Sequence, residues 1–318
     1  MEFMETVASQ PFILTEGSII ERLRRDPSVK LDPHVLNAGL IYEAEGSRRL
    51  SALYRQYLAI GQAYNASMIV CTPTWRANPT RLKNAGFSGD RDVNADSVHF
   101  VSAVRSEYGE YASKIFIGGL IGCAGDAYKP DEALTAPEAV LFHRPQVRAL
   151  VQAGVDFLLA ATLPACSEAL GIAQAIADQG VPYVLSFVLR RDGSLLDGTP
   201  LAEAMHLIDS TVSEPPFFYM GNCIHPATFE QALADQIEKS SDVRNRVLGL
   251  QANTSLKSPE KLENLLYLDS TPPEPFGQRM AQLHRRYGIK VLGGCCGTDD
   301  RHIEAIANEM KRNLSGHV

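Results

Sequence analysis

Eight short runs of apolar and β-branched residues recur along the chain, at 12–14, 67–71, 115–120, 157–161, 183–188, 217–220, 247–250 and 290–292. The segments between them carry helical spacing. Leu50, Leu53, Tyr54, Tyr57 and Leu58 fall on one helix face, as do Ala169, Ile172, Ala173 and Ile176, and again Ile303, Ile306, Ala307 and Met310. Strand and helix alternating eight times is the pattern of parallel βα units whose strands are buried on both faces. It predicts an α/β fold, a single-domain (β/α)8 TIM barrel; a doubly wound open sheet would give the same alternation. The 318 residues can fill one large core or two modest ones. No Pro/Gly/Ser linker, low-complexity tract, charge block or internal repeat divides them, so the expected organisation is an N-terminal tail over 1–10, a barrel over 11–312 and a C-terminal tail over 313–318.

In either architecture, sites assemble where strands end at their carboxyl side. Two of the expected strand ends carry thiols: Gly221-Asn222-Cys223, and Gly293-Gly294-Cys295-Cys296-Gly297-Thr298. A catalytic zinc uses three protein ligands and keeps one position open, and three cysteines supply that number. Three thiolates give the site a formal charge of −1, so a substrate thiol bound there would lose its proton and stay electron-rich. The glycines at 293, 294 and 297 let the backbone turn tightly enough for two consecutive side chains to face one ion. Other readings of the same residues are a vicinal disulfide at Cys295-Cys296, a phosphate held at the Gly293-Gly294 turn, and a closed structural zinc with His225 as fourth ligand. Cys71, Cys123 and Cys166 read as small core residues.

The formal net charge of −7 and pI near 5.7 argue against nucleic acid or an anionic membrane surface as partner. No apolar stretch reaches the roughly 18 residues of a membrane span, and the first ten residues carry two glutamates and no basic apolar leader. The six cysteines form no small-domain disulfide framework. A soluble cytoplasmic protein acting on small molecules is expected, with its oligomeric state open.

The two thiol segments together resemble the homocysteine S-methyltransferase family. The likeness continues in order along most of the chain: Glu16-Gly17-Ser18 resembles the family's acidic-Gly-Gly opening, Thr72-Pro73-Thr74 with Asn78 its second-strand segment, and Gly122 to Asp126 with Tyr128 its third. Ser186-Phe187 with Asp192-Gly193 and Asp197-Gly198 resembles the fifth, and Asn253 the seventh-strand asparagine. The resemblance implies a (β/α)8 barrel with Zn2+ on Cys223, Cys295 and Cys296. It implies an acceptor amine received by Glu16, and a substrate pocket built from Thr72, Thr74, Thr162, Ser186, Asn222 and Asn253. Glu16 could otherwise be an acid favoured by a helix start, and the two Asp-Gly pairs read as plain turns. The implied activity is methyl transfer from a sulfonium-type donor to a thiol, homocysteine going to methionine. The alternatives are a relative using another thiol or selenol, and a non-catalytic zinc-binding barrel. One departure stands out: Ala160-Ala161-Thr162-Leu163-Pro164 occupies the fourth strand end, where the family places Glu-Thr before a proline. A charge-assisted hydrogen bond of the missing kind is worth roughly 1.5–3 kcal/mol, one or two orders of magnitude in binding.

Overall fold

Each apolar run becomes a strand: β1 Ile13–Thr15, β2 Ser67–Cys71, β3 Ile115–Ile121, β4 Phe157–Leu163, β5 Tyr183–Phe187, β6 Phe218–Asn222, β7 Val247–Ala252 and β8 Val291–Gly294. The computed structural model describes residues 2–87, 89, 91–257 and 270–316. The strands pair in parallel in sequence order, and β8 closes onto β1, so the fold is a (β/α)8 barrel and the open sheet is excluded.

The two faces of the strands explain their unbroken apolar character. Leu14, Met68, Val70, Ile117, Leu158, Leu185, Leu250 and Leu292 point outward and are covered by the helices. The expected stripes do the covering: Leu50, Tyr54, Tyr57 and Leu58 are buried from helix Ala44–Ala63, Ala169, Ile172, Ala173 and Ile176 from Cys166–Ala177, and Ile303, Ile306, Ala307 and Met310 from Asp300–Ser315. Inside the barrel, Ile13, Ile69, Phe116, Phe157, Leu159, Val184, Phe218, Met220 and Val291 form a second core.

The amino terminus corrects the expectation of a tail. Phe3–Ser9 is a helix, and its Phe3 and Val7 complete the inner core at the barrel's amino end. Phe3 stacks on Phe157 with centroids 4.0 Å apart and rings inclined by 6°, and it also meets Phe116. Lys290 Nζ donates to the Val7 and Ala8 carbonyls, satisfying the end of this helix with a positive charge. A barrel whose lower layer is aromatic is open at the bottom, and the helix is retained because it removes that surface from water. At the other terminus the last helix continues to Ser315, so residues 313–315 of the expected tail are helical.

Phe3→Ala would leave a cavity bounded by Phe116, Phe157 and Phe218. It is expected to cost about 3 kcal/mol in urea unfolding, with metal affinity at the opposite end unchanged; a loss below about 1 kcal/mol would show that the helix does not seal the barrel.

Candidate active site

At the carboxyl end of the barrel lies a cavity of about 270 Å³, walled by residues from the ends of most of the strands. Its chemistry begins with the three sulfurs. Cys223 follows β6, Cys295 and Cys296 follow β8, and their Sγ atoms are 2.7 Å (223–295), 4.0 Å (223–296) and 3.9 Å (295–296) apart. Among the described residues they form the one cluster of three metal-ligating side chains of this kind. Hydrogen bonds from the Cys295 and Cys296 thiols hold the Cys223 thiol well below its ordinary pKa, against its burial. The other two are pushed well up, first by their bonds to Cys223.

The donor set fits a soft divalent cation. Tetrahedral thiolates at about 2.3 Å from zinc stand about 3.8 Å apart; two of the three spacings are already there, and the third would open by about 1 Å. His225 does not complete the shell. Its Nδ1 accepts from Ala227 N at the start of helix Pro226–Lys239 and its Nε2 lies 3.4 Å from Thr271 Oγ1, while burial pushes its pKa down to about 4.

Local backbone explains how the sulfurs converge. Cys223 has φ +54°, a left-handed conformation that costs a non-glycine residue roughly 1 kcal/mol. Flanking hydrogen bonds hold it there: Cys223 N donates to Gln251 O, and Asn253 Nδ2 donates to Cys223 O at 3.0 Å. In the β8 loop, Gly293 and Gly294 serve close approach rather than turning. A Cβ on Gly293 would lie 1.9 Å from Thr15 Oγ1, and one on Gly294 would lie 2.2 Å from Thr298 Oγ1. Gly297, at φ +81°, makes the turn. The loop is then strapped to the end of β1: Gly294 N donates to Glu16 O, Ser18 N donates to Thr298 Oγ1, Thr298 Oγ1 donates to Cys295 O, and Gly297 N donates to Glu21 Oε2.

Glu16 is 6 % exposed and borders the cavity. Its Oε1 accepts from Cys71 N at 3.0 Å, while Oε2 is buried without a hydrogen-bond partner. Burial pushes its carboxyl pKa up to about 7, only partly opposed by backbone hydrogen bonds and by the neighbouring Cys71 thiol. A buried acid with one vacant oxygen accommodates a cationic group, so the reading of Glu16 as a mere helix-start acid loses its support; helix Ile20–Arg24 starts four residues later.

The other expected site residues divide into two sets. Thr72, Thr162 and Asn222 border the cavity. Asn222 Nδ2 donates to Thr162 Oγ1, and Asn222 Oδ1 accepts from Thr162 N and Ser186 Oγ, a network that fixes Thr162 at φ +63°. Thr74, Ser186 and Asn253 do not border it. Thr74 is bonded to Thr72 and to Leu120 O and ties the β2 loop to β3, Ser186 supports Asn222, and Asn253 supports Cys223. Polar residues at strand ends fill a second layer as readily as a first, and spacing alone does not separate the two.

Cys71, Cys123 and Cys166 are buried, as small core or near-core residues are expected to be; Cys71 in the inner core also borders the cavity beside Glu16, with its thiol pushed well up by burial. The Asp-Gly pairs are turns, Asp192 capping Ser194 and Asp197 capping Thr199. Ala161 does face the cavity. Among the described residues that border the cavity the carboxylates are Glu16 and Glu21, both from the β1 side; at Ala161, Trp75 Nε1 donates to the carbonyl at 3.2 Å and the indole joins the wall. Tyr128, Gln251, Arg24 and Asn37 also border the cavity. Gln251 was traceable from alternation, two residues before Asn253 on β7; Arg24 and Asn37 left no such signal.

The sequence profile described as Homocysteine S-methyltransferase matches residues 13–310. The homocysteine S-methyltransferase of Escherichia coli is 26 % identical over 254 residues, covering 74 % of this chain and 77 % of that protein. Homocysteine S-methyltransferase YbgG of Bacillus subtilis is 25 % identical over 58 % of this chain and 56 % of its own length, so that match spans little more than half of the relative. Betaine–homocysteine S-methyltransferase 1 of Bos taurus is 22 % identical over 96 % of this chain and 74 % of that protein. The metallated form of the homocysteine methyltransferase MmuM from Escherichia coli superimposes with a TM-score of 0.73 at 21 % identity, covering 96 % of this chain and 98 % of that one, a likeness of fold. With the profile spanning nearly the whole barrel, from β1 to the last helix, this chain belongs to the homocysteine S-methyltransferase family and is a methyltransferase of that family.

Proposed function

We propose that this protein transfers a methyl group from a sulfonium-type donor to the sulfur of homocysteine, giving methionine, with Zn2+ held by Cys223, Cys295 and Cys296. The observation that carries this reading is the meeting, in one cavity, of three sulfurs from β6 and β8 with a buried carboxylate that has a vacant oxygen. Zinc on three thiolates keeps one position for a substrate thiol and favours its ionised form at neutral pH.

The chain's own residues supply the rest. An acceptor ammonium would give Glu16 Oε2 the partner it lacks and keep the carboxylate ionised. Trp75, Leu120 and Ala161 form an apolar wall that excludes water, and the Asn222 network keeps Thr162 from moving. In the transfer, a new C–S bond forms at the acceptor thiolate, whose proton has gone to solvent. The donor's C–S+ bond breaks, and its electron pair returns to the donor sulfur, which leaves neutral. No general acid is needed for such a leaving group. All six cysteines are free, consistent with a reducing cytoplasm. Ala161 favours a second reading, a different small thiol or selenol as acceptor, because one carboxylate rather than two meets the amine.

The protein should bind one equivalent of zinc and transfer methyl groups to a small thiol in a zinc-dependent manner. Cys223→Ser should weaken zinc at least 100-fold in chelator competition and abolish transfer; zinc-independent transfer, or none to any small thiol from sulfonium or betaine donors, would reject the proposal.

Glu16 has a folded pKa near 7, above its ordinary 4.5, so it binds its proton more tightly in the folded protein. Its contribution to stability is therefore complete below pH 4.5 and is lost as pH rises through 7, where the buried carboxylate costs about 3 kcal/mol. Glu16→Gln should stabilise the ligand-free protein by up to that amount at pH 8 and not at pH 4.5 in urea titrations, while losing affinity for amine-bearing thiols about tenfold or more.

Ala161→Glu should lower KM for homocysteine by about tenfold or more and leave thiols without an amine unaffected. An unchanged KM for homocysteine would mean that Glu16 alone meets the need.

A further inference from the structure

Trp75 is the chain's single tryptophan, and it stands on the cavity wall beside Ala161. The loop that carries it, residues 72–77, is held from two sides. Toward β3, Thr72 N donates to Gly118 O, Thr72 Oγ1 accepts from Leu120 N, and Thr74 Oγ1 donates to Leu120 O. A Cβ on Gly122 would lie 2.4 Å from Trp75 O and 2.7 Å from its Nε1, so the loop rests on bare backbone past the end of β3. The Arg76 guanidinium lies 4.2 Å from the indole centroid and donates to Gly125 O.

On the other side, two buried amides from the outer helices grip the same loop. Gln146, 1 % exposed on helix Ala136–Gln152, donates from Nε2 to Thr74 O at 2.8 Å and to Asn94 Oδ1 at 3.2 Å. Asn94, on helix Val93–Ser106, donates from Nδ2 to Ala77 O at 3.0 Å. These two carbonyls flank Trp75 and Arg76, so one linked pair of amides fixes both ends of the segment that presents the indole. Stability does not account for the glutamine. Thr74 O already accepts from Ala77 N, and Gln146 Oε1 is buried with no partner among the described residues, a cost that an apolar side chain of similar size would avoid.

We infer that Gln146, acting through Thr74 and together with Asn94, is a positioning residue that sets Trp75 against Ala161 and so fixes the shape of the acceptor pocket. The indole carries no charge and its N–H is engaged by Ala161 O, so this wall selects by fit, and no ion pair corrects an error in its place. A misplacement of about 1 Å is enough to cost up to two orders of magnitude. The acceptor's part in this inference rests on the methyl-transfer reading; the grip on Trp75 does not.

Trp75 emission reads the loop directly. In the zinc-loaded protein, Gln146→Met should shift that emission to the red and increase its quenching by acrylamide, with zinc affinity unchanged. It should raise KM for the acceptor thiol about tenfold or more, whereas a merely destabilised protein loses active fraction, and with it kcat, at constant KM. Asn94→Ala should act in the same way through Ala77, and the double variant should add little, because both residues hold one segment. Asn94→Ala also carries the test if Gln146→Met does not fold. Gln236→Met is the control. Gln236, 1 % exposed on helix Pro226–Lys239, likewise bonds backbone twice, at Asp192 O and Ala202 N, but away from the cavity. It should lower the melting temperature and leave Trp75 emission and KM at their wild-type values. Unchanged emission or unchanged KM in the folded Gln146 and Asn94 variants, or equal changes in Gln236→Met, overturns the inference. Absence of methyl transfer to any small thiol would defeat the proposed function, and the emission measurements would still decide the grip on Trp75.

Discussion

The site depends on the contact between the loop after β8 and the end of β1. Because Gly293 and Gly294 have no Cβ, Thr15 and Thr298 press directly against the backbone of β8, and the Thr298 hydroxyl links Ser18 N to Cys295 O. Glu16 O receives Gly294 N in the same contact. The carboxylate proposed for the amine and two of the three sulfurs are therefore fixed relative to each other by backbone. This is the rigidity that positioning a thiol for in-line attack requires, since misplacement by about 1 Å can cost two orders of magnitude in rate. A side chain at either glycine would push the loop away from β1 and disturb both functions together.

The third sulfur is held by a different device. Cys223 sits in a left-handed conformation between Asn222, engaged with Thr162 and Ser186, and Asn253, which binds its carbonyl. Strain at Cys223 and Thr162 lies on the cavity wall, where the polar network from β4 to β7 outweighs it. Asn222, Ser186 and Asn253 thus serve the site mainly by holding other residues, whatever substrate occupies it.

Much of this was legible in the sequence because of how barrels bury their strands. A strand covered on both faces must be apolar throughout, so all eight appeared as runs, and the helix stripes marked the outer layer. Glycine and cysteine at two strand ends marked the cluster of three sulfurs. What was hidden has a common cause: it depends on contacts between segments distant in sequence. Phe3 and Val7 look like an ordinary terminus until Phe116, Phe157 and Phe218 are seen to lack a lid. Thr74, Ser186 and Asn253 look like pocket residues until their hydrogen bonds place them behind it.

Ala161 takes its meaning from this frame. Removing a carboxylate from a cavity that already contains Glu16 relieves a like-charge repulsion as well as a binding contact, and beside a thiolate cluster a second acid would be costly to ionise. With Ala161 and Trp75 on that wall, Glu16 is the buried acid proposed for the amine, and its pKa near 7 would tie that recognition to pH. Below neutrality the empty site favours a protonated Glu16, which must lose its proton to solvent before it can pair with an ammonium; above it the carboxylate is already ionised, at a cost in folding stability. On the proposed reading, acceptor binding is coupled to pH through that one residue, whereas a pair of acids would spread the coupling over two titrations.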